Sequence, residues 1–115
     1  MTKTFIQTHM FEKQWDELGL LDEDLCRLEY EIMTEPQGGP VIPGTGRLRK
    51  RRFAIRDKGK RGSARVCYVD FVMLDTVYLF SIYEKNKKEN LTKEECANIK
   101  KSIELLEKSL MKGKG

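Results

Sequence analysis

The feature that constrains this chain most is a basic strip in its middle. Residues 47 to 65, RLRKRRFAIRDKGKRGSAR, hold ten of its 22 Lys and Arg residues against a single acid, Asp57, for a local charge of +9. The other 12 bases and 17 acids give −5, so the formal net charge of +4 conceals a cationic element inside an otherwise acidic molecule. A disordered tail or a localisation signal would also be basic, but this strip is central, is interrupted by Leu48, Phe53, Ala54 and Ile55, and runs into ARVCYVDFV. Strand alternation puts Lys50, Arg52, Ala54 and Arg56 on one side and Arg51, Phe53 and Ile55 on the other. The fold therefore has to present cations from a sheet surface, and that surface should face a polyanion. Phosphate contacts set nucleic-acid affinity and steer encounter, which makes RNA or DNA the expected partner.

With 115 residues there is room for one small domain with one core, expected over 1–115 with 113–115 as a loose tail. No run of about 18 apolar residues occurs, and the polar start MTKTFIQTHMFEKQW has no hydrophobic secretory core. The expectation is a cytoplasmic protein without membrane contact. Cys26, Cys67 and Cys96 are odd in number, far apart and free of CxxC spacing, which suits reduced, mostly buried thiols rather than disulfides or zinc. Neither a metal nor a cofactor is expected. His9 is the only histidine, so a catalytic triad, a His-paired cysteine and a two-histidine ribonuclease mechanism are excluded by inventory.

KTFIQT reads as a first strand. Phe11, Trp15 and Leu18 recur at helical spacing up to Gly19, and Leu25, Leu28, Ile32 and Met33 form the apolar face of a second helix, with Asp22 as its N-cap and Pro36 ending it. After the turn-rich PQGGPVIPGTG, residues 47–56, 64–73 and 77–85 read as three strands of an antiparallel meander, joined by KGKRGS and LD turns. Thr92 and Glu95 make a capping box for a last helix whose stripe is Ile99, Ile103, Leu106 and Leu110, fading into MKGKG. The order β-α-α-β-β-β-α predicts an α+β fold. Its small antiparallel sheet of about four strands carries helices on one face and leaves the other for a ligand.

The run GTGRLRKRRFA, then KGKRGSARVCY, then IYEKNKKENLT resembles the RelE/ParE toxin superfamily of toxin-antitoxin systems, in particular its HigB-like branch. That branch shows a GTGGLRK-type segment, a GKRGG-type turn, an arginine opening a strand and a Y-x-K-N element ending the next. The likeness spans nearly the whole chain. Arg47 stands where a glycine is usual, Arg51 where an aliphatic residue is usual, and Ser63 replaces a glycine of the turn.

The resemblance implies a RelE-like fold and a ribosome-dependent endoribonuclease that cuts messenger RNA and inhibits translation. It also implies a cognate antitoxin of helix-turn-helix type, with operator DNA contacted only through that partner. Arg65 matches the strand-opening arginine that contacts the scissile phosphate, and its alternative is a strand residue paired with an acid. Lys60 is a second phosphate ligand or general base, Lys85 a proton donor to the leaving oxygen, and Asn86 an orienting group. Tyr83 either stacks on a base, donates a proton or packs across strands, whereas Tyr68 faces away from Arg65 into the core. Arg47, Arg49, Lys50, Arg52, Arg56, Lys58 and Arg61 are the expected RNA and ribosome contacts. Two alternatives keep the fold: a ParE-like inhibitor of DNA gyrase, and a nucleic-acid-binding module without catalysis.

Overall fold

The structure, a computed structural model, describes residues 3–57, 60–87 and 91–114, and at positions 57, 60, 61 and 114 the backbone alone. Its elements follow the expected order: β1 (Thr4–Gln7), α1 (His9–Glu17), α2 (Asp22–Thr34), β2 (Arg49–Asp57), β3 (Lys60–Phe71), β4 (Thr76–Glu84) and α3 (Lys93–Lys114).

Local chemistry explains most of these boundaries. Thr8 caps α1 by accepting the Phe11 N–H at 3.0 Å, and Gly19, at φ +71°, takes the left-handed conformation that ends the run. For α2 the capping carboxylate is Asp24, which accepts the Leu21 N–H at 2.8 Å; Asp22, expected as the N-cap, is already the first helical residue. Thr92 and Glu95 do form a reciprocal box at the start of α3, with contacts of 3.1 and 2.9 Å. The helix then continues through Met111 to Lys114, past the point where the sequence suggests a loose tail.

The sheet order is β1-β4-β3-β2. β2, β3 and β4 form the antiparallel meander, but β1 lies parallel to β4, from Thr4↔Thr76 to Gln7↔Leu79, so the sheet is mixed rather than antiparallel throughout. The two helices carry the chain from β1 to the far edge, and two reversals then bring β4 back beside β1 in the same direction. Strand limits also shift. The β2–β3 ladder holds out to Asp57↔Lys60, so Lys60 to Ser63 belong to β3 rather than to a KGKRGS turn. At the other end of β3, Val72–Leu74 form a 3₁₀ turn closed by Asp75 at φ 48°.

Both faces of the sheet carry cores. On one, Phe11 and Trp15 of α1 and Leu28 and Ile32 of α2 cover Phe53, Ala64, Val66, Tyr68, Val77, Leu79 and Ile82. Trp15 links the layers, stacked on Phe11 at 5.5 Å and tilted against Phe53 at 6.1 Å between ring centres. A β-bulge keeps β4 in step with this core. The register passes from Cys67↔Ser81 to Tyr68↔Leu79, leaving Phe80 as an extra residue, so Leu79 and Ile82 face the same way despite their odd spacing.

On the other face, Ile103 of α3, with Ile99, Leu106 and Leu110, covers Leu48, Cys67, Val69, Phe71 and Leu74. This corrects the expectation that all helices share one side. Val69, Phe71, Tyr78 and Phe80 make that half of the face too apolar to leave wet at roughly 25 cal/mol per Å². The uncovered half lies at the other end of the sheet, where Arg52, Ala54 and Arg56 are exposed.

Candidate nucleic-acid interface

The end of the sheet beyond α3 is built by register. Arg52 lies opposite Arg65, and Arg65 lies opposite Tyr83, so one row on one face crosses β2, β3 and β4. Directly opposed residues have Cβ atoms about 4.5–5.5 Å apart, and like charges so placed repel. Arg65 is half-buried, and its Nη1 is fully shielded with no hydrogen-bond partner among the described residues. An unsatisfied buried donor costs about 1–3 kcal/mol, more when charged. Two opposed guanidinium groups, one with an orphaned donor, form an arrangement that an incoming anion would relieve. The planar fork of arginine suits two phosphoryl oxygens at once.

Further along, the register sets Arg56 opposite Arg61 and Asp57 opposite Lys60. The side chains of Lys60 and Arg61, and all of Lys58, lie outside the described residues. At the end of β4 the Lys85 N–H donates to the Ser63 carbonyl at 3.0 Å, extending the ladder by one rung. Lys85 and Asn86 are exposed there, at the same end of the sheet as Arg65, and a turn closes from the Lys87 N–H to the Glu84 carbonyl at 3.0 Å. Tyr83 is half-buried against the second core. Tyr68 is fully buried on the opposite face, where its hydroxyl donates to the Pro36 carbonyl at 2.8 Å, as the strand parity predicts.

Three cations of the strip hold the fold together instead of joining the row. Arg47 makes a bidentate ion pair with Glu107 of α3 and sits 5.3 Å from the Phe71 ring centre. The hydrogen bond from Arg47 holds the Glu107 carboxyl below the usual carboxylate range, and the same bond raises Arg47. Arg49 donates to the Gly39 carbonyl at 2.8 Å. Arg51, on the side of the first core, donates to the Glu35 carbonyl at 3.0 Å and lies 3.9 Å from the Glu31 carboxylate. Arg52 and Arg56, in contrast, are exposed and make no ion pair or hydrogen bond with their side chains among the described residues.

Sequence patterns gave no sign of a pocket beside the row. Ile42, Pro43, Lys50, Cys67, Tyr83, Leu91 and Cys96 line a space of about 270 Å³. The GTG element follows directly on Ile42 and Pro43 of this lining. Gly44 and Gly46 sit at φ +85° and +81°, and a Cβ on Gly44 would come within 3.3 Å of Cys96 Cβ, so the loop lies directly on α3. Buried Thr45 locks the bend, donating to the Ile42 carbonyl at 2.7 Å and accepting the Leu48 N–H at 3.2 Å. The closely spaced glycines are the one feature of the sequence that could have pointed to it.

Residues 2–112 match the family model described as the RelE toxin of the RelE/RelB toxin-antitoxin system. The match takes in both leading helices, the meander with its Arg65 row, and α3. The chain belongs to the RelE toxin family.

Proposed function

We propose that this chain is a ribosome-dependent endoribonuclease that cuts messenger RNA without a metal, and that a cognate antitoxin holds it silent. The observation that carries the reading is the Arg52–Arg65–Tyr83 row, with the unpaired Nη1 of Arg65 at its centre. In this reaction the RNA 2′-hydroxyl loses its proton and attacks the adjacent phosphorus. The P–O5′ bond breaks, the 5′-oxygen takes up a proton, and a 2′,3′-cyclic phosphate and a 5′-hydroxyl end remain. Negative charge builds on the phosphoryl oxygens at the transition state, where fixed cations help most.

Arg65 holds those oxygens, and Arg52 adds a second positive group one strand away. Lys60 serves as a further phosphate ligand or as the base at the 2′-hydroxyl. Lys85 supplies the proton to the leaving oxygen, and Asn86 orients a neighbouring base or phosphate. Tyr83 stands beside Arg65 as a stacking surface or a second proton donor. Exposed Arg56 extends the cationic face toward the ribosome.

The test is single-turnover cleavage of messenger RNA on programmed ribosomes. Arg65→Ala should keep ribosome association while cleavage slows by about a hundredfold or more, the loss expected when one transition-state donor is removed. A folded Arg65→Ala variant that cuts at the parent rate would make Arg65 structural. A parent that never cuts but blocks gyrase supercoiling would transfer the chain to the gyrase inhibitors, and salt-dependent RNA binding without cleavage would make it a binding module.

A further inference from the structure

We propose that Arg27 of α2 is a positioning residue for the Arg52–Arg65 pair, fastening the edge strand β2 against the repulsion between these cations; its effect on cleavage rests on the RNA-cutting reading above. β2 ends the sheet and has β3 on one side only. Two rungs of the β2–β3 ladder set arginine opposite arginine, Arg52↔Arg65 and Arg56↔Arg61. Like charges directly opposed on one face are destabilising, and that repulsion pushes an edge strand away from its single neighbour. Something outside the sheet has to hold β2 in place.

Up to Arg51 that support comes from the loop and the end of α2. The Lys50 N–H donates to the Pro40 carbonyl, and the Arg49 and Arg51 guanidinium groups donate to the Gly39 and Glu35 carbonyls. From Arg52 onward, the one hydrogen bond that reaches β2 from outside the sheet among the described residues runs from Arg27 Nη2 to the Ala54 carbonyl, at 2.6 Å. Ala54 stands midway between the two arginine rungs. Arg27 is itself held on several sides. Asp24, Arg27 and Glu31 share one face of α2, where Arg27 Nη1 donates to the Glu31 carboxylate at 3.3 Å and the Asp24 carboxylate lies 3.7 Å away. Its guanidinium also lies over the Phe53 ring, 4.1 Å from the ring centre, directly after Arg52 in the chain. A planar fork seated between two carboxylates and a ring is pre-organised, so it can hold the Ala54 carbonyl at little further entropic cost.

Amide hydrogen exchange on the full chain reads this clamp without a ribosome, so its failure is separable from failure of the nuclease reading. Strand alternation, with the Ala54 carbonyl turned outward to Arg27, points the Phe53 and Ile55 N–H groups at β3. Arg65 and Tyr83, which face each other across β3 and β4, serve as the control rung. In Arg27→Met, which keeps an apolar stem beside Phe53, the Phe53 and Ile55 amides should exchange at least about tenfold faster while the control rung stays as in the parent. Adding Arg52→Gln should bring them back to within about twofold of the parent, because the repulsion has been removed. A contact that only supports the fold would not be restored by deleting a charge on the neighbouring strand. Arg27→Lys keeps a charge and a donor without the fork, so it should fall between, and it replaces the Met variant if that one does not fold. Unchanged Phe53 and Ile55 amides, equal loosening of both ladders, or loosening that survives Arg52→Gln each overturn the proposal. On programmed ribosomes Arg27→Met should cut about tenfold more slowly in single turnover with ribosome association unchanged, as a small displacement of a charged group predicts. Cleavage at the parent rate would refute a part in the reaction, whereas a parent that never cuts would remove the nuclease reading and leave the exchange result standing.

Discussion

Among the described residues, two arginines carry a shielded nitrogen without a partner, Arg51 at Nε and Arg65 at Nη1, and they differ in what surrounds them. Arg51 has an 11% exposed side chain and spends its Nη atoms on α2, at the Glu35 carbonyl and near Glu31. Its partners do not depend on it, because Glu31 also pairs with Arg27 at 3.3 Å and the Glu35 carbonyl also accepts the Gly38 N–H at 2.9 Å. Breaking a buried pair usually costs about 3–5 kcal/mol by stranding the other charge, whereas an apolar replacement that strands nothing is often neutral or stabilising. Arg51→Leu should therefore change unfolding free energy by no more than about 1 kcal/mol in urea titration, and a loss near the upper figure would show that Arg51 is a required tether. Arg65 has no such acidic partner among the described residues. An anion seated on Arg65 would offset that cost.

At the scale of elements, the loop ahead of β2 decides where the basic strand sits. Gly39 lies so close to β2 that a Cβ would stand 2.5 Å from the Lys50 carbonyl oxygen, backbone against backbone. The Lys50 N–H donates to the Pro40 carbonyl at 3.0 Å, and the Arg49 guanidinium donates to the Gly39 carbonyl, so loop and strand are fastened at successive residues. Gly39→Ala should cost about 1–3 kcal/mol in chemical denaturation, as overpacking does. Gly62, on β3 with nothing within 4 Å of a built Cβ, is the control: Gly62→Ala should be neutral or slightly stabilising. Equal losses at the two sites would mean that chain stiffness rather than close approach sets the cost. Helix α3 acts at the same scale. By covering the Val69 and Phe71 half of its face, it confines the cations to the open half and supplies Cys96 to the pocket.

For the molecule as a whole, the described cations of the +9 strip include some that hold the structure, Arg47, Arg49 and Arg51, and some that face solvent, Arg52 and Arg56. Each phosphate neutralised steepens the fall of log affinity with log salt by about 0.7 to 0.9. Replacing exposed Arg52 and Arg56 together by Gln should weaken ribosome association and flatten that slope by about 1.5, measured by co-sedimentation across a salt series. Arg47→Gln, whose charge is already met by Glu107, should leave the slope nearly unchanged. An unaltered slope in the double variant would put the ribosome footprint elsewhere. Much of this arrangement is legible in the amino-acid sequence. Period-two alternation separates Arg52 and Arg56 from Phe53, helical spacing marks Phe11 and Trp15, the Thr92 box marks α3, and strand parity sends Tyr68 inward away from Arg65. Those signals are local, because they depend on backbone period and on neighbours within one turn. Which cations are spent, the extra residue at Phe80, the parallel pairing of β1 and the pocket are decided only by the tertiary structure. Glu31, Glu35 and Glu107 meet the strip only after distant elements dock, and nothing in the pattern of one segment encodes which remote partner will come to lie beside it.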